Sequence, residues 1–502
     1  MSSLSAILDE GTPVKAHRPF RRAIVSSASW ALASRHLAED QLTLLGLWGD
    51  SGAVHMALLC EEPIDVGIIT LATADGTFAS VGAFHLPAIR LERTIRDVFG
   101  LVPTGLPDQR PWLDHGRWGV TQPLGQRKDG PAAPTRYPYL LAEGDNLHQI
   151  PVGPVHAGII EPGHFRFTAS GETVVRLEER LGYVHKGIES LMTGADVYHA
   201  ARLAGRTSGD STVAYAAAFA RAVEAASDAE VPRRAHWLRA LMAELERLAN
   251  HFGDIGAICN DASFSMMHAH CGMLRELTLR TAAACFGHRL MMDRVVPGGV
   301  ATDLTGGASQ ISRLLTEIRR LFPKLVELYD KTASLQDRTV TTGIVRPALA
   351  RRFGAGGYVG RASGRGFDAR RALAYPPYGE LEFDVPVVEE GDVNARVWIR
   401  IREIEQSIEL IEQILAGLPE GATRVPVDPG AGADGLGIAE GFRGDVLAWV
   451  RFDNEGRIAR CHMRDPSWFQ WPLLEAAIEG NIVADFPLCN KSFNCSYSGQ
   501  DL

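Results

Sequence analysis

The first hundred or so residues alternate short apolar runs with polar positions, as expected of a small domain built around a β-sheet. Residues 44–48, 53–59 and 67–71 are apolar runs of strand length. Between Ile89 and Phe99 the apolar residues recur at helical spacing, which predicts a short amphipathic helix. We therefore expect a small α/β domain over residues 1–125.

The middle of the chain has the periodicity of helices. Apolar residues recur every three or four positions over 237–252 and again over 401–415, which predicts buried helix faces, the second on a helix over about 393–418. Later, two β-like runs at 446–452 and 457–464 flank Asp453-Asn-Glu-Gly456, a hairpin turn. The polar and aromatic end, 485–502, either frays or packs into a site. The predicted fold class is α+β.

A change in composition separates the predicted domains. Residues 107–138 are rich in Pro, Gly, Arg and Asp without periodicity, which predicts a linker or an extended surface segment. We assign the linker to residues 126–150. Residues 151–502 then form a large, mainly helical domain with small β-sheets, opening with a loop and a hairpin that turns at Ala169-Ser-Gly-Glu172.

Composition limits the classes of function. With 46% hydrophobic and 22% charged residues the chain is typical of a soluble globular protein, and its net charge of −9 argues against nucleic acid as a partner. No apolar run reaches the length of a membrane span, and the acidic start does not resemble a secretory signal. We expect a cytoplasmic protein that meets a membrane only through partner subunits.

Metal and nucleotide motifs are weak. The seven cysteines form no Cys-x-x-Cys pair, so we expect no iron–sulfur cluster in this chain. His251, His268 and His270 lack the spacing of a zinc site, and we expect core or interface histidines. Gly430-Ala-Gly-Ala-Asp-Gly435 fits G-x-G-x-x-G but follows prolines rather than a strand, which favours a loop. The glycine-rich 354–366 lacks the end of a P-loop, so a tight structural loop is favoured over a phosphate site.

Two carboxylates stand in apolar surroundings. Glu189 follows Tyr183-Val-His-Lys-Gly-Ile, and Asp261 follows Cys259-Asn. A buried carboxylate has a raised pKa, which suits proton relay. A helix cap or a salt bridge is the structural alternative, and the residues alone favour it.

Several distinctive motifs follow one another along the chain: Gly153-Pro-Val-His156, Leu181-Gly-Tyr-Val-His-Lys-Gly-Ile-Glu189, Glu244-Leu-Glu-Arg-Leu-Ala-Asn-His251, Val296-Pro-Gly-Gly-Val300, Gly360-Arg-Ala-Ser-Gly364 with Asp368 and Arg370, and Pro466-Ser-Trp468. In this order they resemble the large catalytic subunit shared by respiratory complex I and the membrane-bound nickel–iron hydrogenases of the formate-hydrogenlyase (hydrogenase-4) type. In addition, Leu91-Glu-Arg-Thr-Ile-Arg-Asp-Val-Phe-Gly100 with Gly105-Leu-Pro-Asp108 resembles the small peripheral subunit of complex I. The resemblance implies that the two subunits are fused here, as in formate-hydrogenlyase-type proteins.

The metal-holding residues of the hydrogenases are absent. Their Arg-x-Cys-Gly-x-Cys motif corresponds to Arg206-Thr-Ser208-Gly-Asp-Ser211, and their C-terminal cysteine pair corresponds to Ser496 and Gly499 when aligned on Asp501. A hydroxyl stays protonated near neutral pH, whereas nickel and iron need soft thiolates. We expect these positions to be vestigial, with no metal and no hydrogenase activity.

The quinone donors of complex I are replaced as well. The position of its quinone-binding histidine falls on Ile160 and that of its tyrosine near Gly209. The histidine's acidic partner corresponds to Asp261, a cluster-side histidine to Met291 and a cluster-facing arginine to Lys186. His156 and Tyr215 are the candidate substitutes. Glu189 matches the glutamate of the hydrogenase Arg-Gly-x-Glu motif. With this match, proton relay through Glu189 and a purely structural role for it are equal alternatives.

The resemblance implies a core electron-transfer subunit that lies peripherally on the cytoplasmic face of the inner membrane. Glu189, Asp261 and His156 are the candidate catalytic residues, while Lys186 and Arg206 face a 4Fe–4S cluster in an adjacent small subunit. A ferredoxin-like subunit and integral-membrane subunits that translocate protons or sodium complete the expected partners. The alternatives are a redox-silent scaffold, which would fill its cavity with side chains such as Phe493 and Tyr497, and a quinone-reducing subunit.

Overall fold

The computed structural model describes residues 2–130, 137–144, 146–156, 160–304 and 307–502. Its first part contains three helices and ten strands within residues 2–130: α1 Ser3–Glu10, β1 Thr12–Pro13, β2 His17–Arg18, β3 Arg21–Ile24, α2 Ser27–Ala38, β4 Thr43–Asp50, β5 Ala53–Glu61, β6 Ile64–Ala72, β7 Thr77–Ala79, α3 Ile89–Phe99, β8 Val102–Thr104, β9 Val120–Thr121 and β10 Lys128–Asp129. The three predicted strands and the predicted helix are confirmed as β4, β5, β6 and α3.

The N-terminal sheet has the strand order β1-β3-β6-β5-β4, in which β3 and β6 are parallel and the other pairs antiparallel. Its long strands are buried on both faces. Leu44 and Leu47 pack among the N-terminal helices, while Leu45 and Trp48 pack against Trp449 of the C-terminal sheet. Burial on both faces explains why these strands have nearly continuous apolar sequences.

The middle of the chain, described up to the end of α14, is mainly helical. Its elements are β11 Leu147–Val152, β12 His164–Ser170, β13 Thr173–Arg180, α4 Ile188–Met192, α5 Val197–Ala204, α6 Thr212–Ser227, α7 Arg233–Asp261, α8 Ser265–Phe286, β14 Val295–Val296, β15 Gly299–Val300, α9 Ala308–Lys331, α10 Ala333–Thr339, α11 Pro347–Arg352, α12 Gly357–Arg361, α13 Ala369–Ala372 and α14 Val393–Gly417. The long helices α7, α8, α9 and α14 share one apolar core, as their periodicity predicts. The mixture of helices and small sheets confirms the α+β class.

Two segments differ from their predicted form. The segment assigned as linker, 126–150, contains the start of β11, because Leu147 already pairs with Ser170 of β12. The glycine-rich segment predicted as a loop contains the short helix α12, Gly357–Arg361. Its close packing requires glycine, since a Cβ at Gly357 would lie 2.0 Å from the Arg443 carbonyl oxygen.

The C-terminal part returns to β structure and then closes with three helices. Its elements are β16 Asp434–Gly441, β17 Gly444–Phe452, β18 Ile458–Arg464, α15 Ser467–Ile478, α16 Phe486–Phe493 and α17 Tyr497–Asp501. The predicted hairpin is confirmed as β17 and β18, and β2 from the N-terminal part completes this sheet in the order β18-β17-β16-β2. The chain end packs inside: Phe493 and Tyr497 are both buried.

Candidate functional site

The four positions predicted as vestigial metal sites lie together, although they come from distant parts of the chain. Ser208 and Ser211 lie in the turn that leads into α6, and Ser496 caps the N-terminus of α17. The hydroxyl oxygens of Ser208 and Ser496 are 3.0 Å apart, and the Gly499 N–H donates to the Ser496 hydroxyl at 2.8 Å. All four are buried. We call Ser208, Ser211, Ser496, Gly499 and Asp210 the serine centre.

An ion pair fills the middle of the serine centre. Ser208 and Ser211 donate to Oδ1 of Asp210 at 2.8 and 3.2 Å, and the Arg443 guanidinium donates to both Asp210 oxygens at 2.9 and 2.6 Å. Burial alone would raise the pKa of Asp210, but Arg443 outweighs burial and lowers that pKa to about 2. Asp210 is therefore a carboxylate with its charge already neutralised.

Arg443 is a site residue that the sequence did not reveal. It occupies the two-residue turn between β16 and β17, which carries its side chain to Asp210 from 233 residues away. The only local signal is a charged residue between two glycine-flanked apolar strands. That pattern is equally typical of a solvent-exposed turn, so only the tertiary structure identifies the partner.

The serine centre does not fit a nickel–iron centre. It offers hydroxyls and a neutralised carboxylate where such metals need thiolates. Space is also filled: a Cβ at Gly499 would lie 2.5 Å from a carboxylate oxygen of Asp465, which Tyr215 fixes with a 2.7 Å hydrogen bond. Across the described parts of the chain, no three His, Cys, Asp or Glu side chains are grouped so that they could hold a metal ion.

Glu189 is buried and paired. Its carboxylate accepts from His462 Nδ1 at 2.8 Å and from the Met463 N–H at 3.1 Å, and it lies 2.8 Å from the Arg460 guanidinium. Burial would raise the pKa of Glu189, but Arg460 and His462 outweigh it and lower the pKa to about 2. Glu189 thus forms the salt bridge that was the structural alternative. Proton relay through it stays a prediction.

The N-terminal domain reaches Glu189 indirectly. Trp48 of β4 stacks on the His462 ring, with centroids 4.9 Å apart and planes inclined by 13°. His462 in turn holds Glu189. Trp48 therefore fixes the orientation of the imidazole that binds the candidate proton-relay residue, a contact that no sequence pattern indicated.

The two residues predicted to face a partner cluster are adjacent and exposed. Lys186 Nζ donates to the carbonyl oxygens of Arg206 and Thr207, at 3.1 and 2.7 Å. The Arg206 guanidinium pairs with Asp293, with one N–O distance of 2.8 Å. Partial desolvation by the surrounding chain lowers the pKa of Lys186, although its side chain is exposed on one side. Together they form a basic surface beside the serine centre.

A cavity of about 310 Å³ opens next to this basic surface, between the N-terminal domain and the segment in which Lys186 leads into α4 and Glu189. One wall is mainly apolar and includes Val98, Trp118 and Leu124. The other wall includes Lys186 and Glu189, and further lining residues are Thr94, Leu113, Val120, Pro123, Arg127, His185, Gly187, Ser190, Leu191 and Leu502. An apolar cleft with a few polar groups is the usual form of a binding site for a small molecule or a partner side chain.

The structure does not bring the three predicted catalytic residues into contact. His156 bonds to the Gly163 carbonyl oxygen at 2.8 Å, in the turn between β11 and β12. Asp261 ends α7, eleven residues beyond Asn250, whose amide contacts the Asp210 carbonyl oxygen; at 1.5 Å per residue that is about 16 Å along the helix. Burial raises the pKa of Asp261, which Lys491 partly opposes.

The candidate substitutes for quinone donors are engaged elsewhere. Tyr215 is fully buried with its hydroxyl bonded to Asp465, and His156 faces a backbone carbonyl. Ile160, at the position of the quinone-binding histidine, is partly exposed and apolar. Tyr497 packs edge-on against Trp471 with ring centroids 4.8 Å apart, so the chain end occupies space beside the serine centre.

The chain is similar to curated proteins of two kinds. Residues 261–433 match the family described as respiratory-chain NADH dehydrogenase, 49 Kd subunit. Formate hydrogenlyase subunit 5 of Escherichia coli (strain K12) is 32% identical over 471 residues, covering 89% of this chain and 82% of that protein. An NADH-quinone oxidoreductase subunit of Roseiflexus sp. (strain RS-1) is 31% identical over 353 residues, covering 67% of this chain and 94% of that protein.

This chain is also similar to a solved structure. A chain of the membrane-bound sulfane sulfur reductase, an archaeal respiratory membrane complex, superimposes with a TM-score of 0.67 at 26% identity. The match covers 72% of this chain and all of that one. Within the described ranges, this chain has no helix with the length and apolar character of a membrane span.

Proposed function

Because this chain belongs to the family of the 49 kDa subunit of respiratory-chain NADH dehydrogenase and the membrane-bound hydrogenase subunits related to it, we propose that it is a core electron-transfer subunit without a nickel–iron centre. It works within a complex I-like, membrane-bound oxidoreductase. Reduction of a neighbouring 4Fe–4S cluster is coupled there to translocation of protons or sodium by membrane subunits.

One observation carries this proposal: Asp210 and Arg443 form a neutralised pair where the hydrogenase motif supplies thiolates. The pair has further partners, since Ser208 and Ser211 also bind Asp210. A metal with a preference for sulfur gains nothing from this donor set. The electrons therefore go to a substrate other than hydrogen ions, or drive a change of shape.

The arrangement of partners follows from the basic surface at Lys186 and Arg206. The small iron–sulfur partner binds there and brings its 4Fe–4S cluster beside the serine centre, while a ferredoxin-like partner supplies electrons. The chain itself lies peripherally on the cytoplasmic face of the inner membrane. Support for membrane partners comes from the relatives, among them a chain of a respiratory membrane complex.

The test is metal analysis of the purified complex, combined with hydrogen uptake using a dye acceptor. Iron in whole clusters, no nickel and no hydrogen-dependent dye reduction are the expected results. Stoichiometric nickel together with dye reduction would refute the proposal and restore a hydrogenase. Formate hydrogenlyase purified in parallel serves as the positive control for the assay.

A redox-silent scaffold is the second candidate, favoured by the burial of Phe493 and Tyr497 and by the bond between Ser208 and Ser496. Electron paramagnetic resonance of the small-subunit cluster distinguishes the two functions. In an electron-transfer subunit, Arg443→Gln removes the charge that balances Asp210 and shifts the cluster's midpoint potential and turnover. In a scaffold, the same variant leaves physiological turnover by the complex unchanged.

A further inference from the structure

Eight ionisable side chains form a buried network between α7, α12, α13, α14 and β16. None of them exposes more than 3% of its surface. They are Glu244, Arg247, His251, Arg361, Asp368, Arg370, Glu403 and Glu440. Isolated charges are very costly in such a place, so the network must be close to neutral.

Arg361 is the hub of the network. Its Nε donates to Glu403 at 2.8 Å, and its Nη1 donates to Glu440 at 3.0 Å and to Asp368 at 3.3 Å. One guanidinium thus contacts three carboxylates. Each of these carboxylates depends on further partners for the rest of its charge compensation.

Those partners are distributed unevenly. Asp368 also receives two side-chain bonds from Arg370, at 3.0 and 2.7 Å. Glu403 also binds His251 at 2.7 Å and lies 3.4 Å from Arg247. Glu244, outside the Arg361 hub, is bound by both Arg370 and Arg247. Of the four carboxylates in the described network, Glu440 alone has no second guanidinium bonded to it.

With all its carboxylates ionised and His251 neutral, the network has a net charge of −1. The network holds four carboxylates and three guanidiniums, with a single imidazole that is neutral unless it binds a proton. One proton is therefore needed, and the two places for it are His251 and Glu440. Protonating His251 would place an N–H on Nδ1, which has no acceptor among the described residues. A buried donor without an acceptor is unfavourable.

Of the two positions, Glu440 binds the proton more favourably than His251. Its carboxylate has one guanidinium, Arg361, and one backbone donor, the Ala369 N–H at 2.9 Å. It also faces the like charge of Asp445 directly across the β16–β17 pair, although Arg464 binds Asp445. Burial, followed by Asp368, raises the pKa of Glu440 to about 7, with Arg361 and Arg247 opposing.

A small cavity lies beside β16 and is lined in part by residue Glu440, although the Glu440 side chain itself exposes no surface to it. Its volume is about 30 Å³, roughly the share of one molecule in liquid water. Tyr375 lines it and accepts from the Glu440 N–H at 3.0 Å, and half-buried His236 forms part of the wall. Arg221 stacks on Tyr375 at 4.2 Å and is also half-buried, so solvent screens its charge.

We propose that Glu440 is a proton-binding site, and that the proton it binds neutralises the buried network. The site lies on the same hairpin as Arg443, which follows Glu440 by three residues and stands in the turn between β16 and β17. Its use rests on the proposed function: a change of charge at the serine centre would shift Arg443, and with it the Glu440 proton. The site itself exists without electron transfer.

The test is infrared difference spectroscopy of the purified complex during a pH titration without electron donor. Among the carboxylic-acid carbonyl bands of the wild type, one that is sensitive to D₂O and has a midpoint near neutral pH should be missing from Glu440→Gln, while the bands of other buried carboxyls such as Asp501 remain. Glu246→Gln is the matched control. Glu246 is another buried glutamate, accepting from the Val213 N–H at 2.7 Å, and its loss should leave the Glu440 band in place.

A titration of Glu440→Gln that superimposes on the wild type overturns the proposal, as does a band that is lost in His251→Gln but retained in Glu440→Gln. If Glu440→Gln does not assemble, Tyr375→Phe provides the second test, because it removes a hydroxyl from the cavity and should shift the midpoint of the same band. The titration needs no turnover, so a redox-silent complex with an intact band would contradict only the proposed function.

Discussion

Asp210 is the residue that organises the serine centre, since its carboxylate collects bonds from Ser208, Ser211 and Arg443. The side chain of Arg443 is almost fully buried, whereas that of Asp210 is about one-third exposed. The pair therefore stabilises the fold mainly by preventing a buried guanidinium from being left without a counter-charge.

Replacing Asp210 by Asn should lower the free energy of unfolding near neutral pH by about 2 kcal/mol, after allowing for the partial exposure of Asp210. The folded-state pKa of Asp210 is about 2, below its unfolded value. The stabilisation is therefore present above the unfolded pKa and is lost as the pH falls towards 2. Urea unfolding of wild type and variant at several pH values measures this difference.

Asp293→Asn is the control, because its partner Arg206 is exposed and such pairs contribute less than about 1 kcal/mol. A loss of stability in Asp210→Asn that does not shrink on acidification would contradict the ionic explanation.

Single residues differ in how far the sequence could locate them. The order of motifs predicted the meeting of Ser208 and Ser496, since each has a fixed place in its motif. Arg443 could not be found in that way. The chain has 51 lysines and arginines, and only the β16–β17 turn selects which of them meets Asp210.

At the scale of elements, α17 and the residue after it hold the loop of residues 182–187 in place through hydrogen bonds. This loop carries Lys186 of the basic surface. The Asp501 carboxylate accepts from the N–H groups of Gly182 and Val184, at 2.8 and 3.0 Å. The Leu502 carbonyl oxygen accepts from the N–H groups of Lys186 and Gly187. Burial raises the pKa of Asp501 to about 7, with the two backbone donors opposing.

Asp501→Ala should release this loop. Two buried N–H groups lose their acceptor, at a cost of about 1–3 kcal/mol each if they stay buried. Hydrogen exchange followed by mass spectrometry should show faster exchange in peptides that span residues 182–187. In the control Asp453→Ala, which removes an acceptor in the exposed β17–β18 turn, faster exchange should stay within that turn. Unchanged protection of residues 182–187 in Asp501→Ala would contradict the fastening role.

Elements with a strong hydrophobic periodicity could be predicted from the sequence, whereas the structure of residues 485–502 could not. Alternation and helical spacing identified the strands β4–β6 and the helices α7 and α14, because each shows its buried positions locally. The composition of residues 485–502 suits fraying and packing equally. Its order depends on donors such as the Gly182 N–H, more than 300 residues away, which no local pattern contains.

At the scale of the whole molecule, the N-terminal and C-terminal parts share one core. The two sheets pack face to face through residues such as Trp48 and Trp449, whose rings are 5.6 Å apart. In addition, Arg22 pairs with Asp434 at the joint between β2 and β16. Apart from such ion pairs, the interface is formed by apolar side chains that are continuous with both cores.

Separate expression of residues 1–130 and 137–502 in one cell should therefore yield two chains that co-purify through gel filtration. Each piece alone should be poorly soluble, because it would expose an apolar sheet face. The double change Trp48→Ala and Leu45→Ala should weaken the association strongly, since large-to-small changes in a core cost about 2–5 kcal/mol each. Independent, soluble pieces that do not bind each other would contradict a shared core.

The joint between β2 and β16 also has a consequence for synthesis on the ribosome. Asp434 lies 412 residues after Arg22, its partner. At about 5–20 residues per second, translation needs roughly 20–80 s to produce that partner. During this interval the apolar face of the N-terminal sheet that carries Leu45 and Trp48 stays exposed to solvent. We therefore expect the nascent chain to bind a ribosome-associated chaperone.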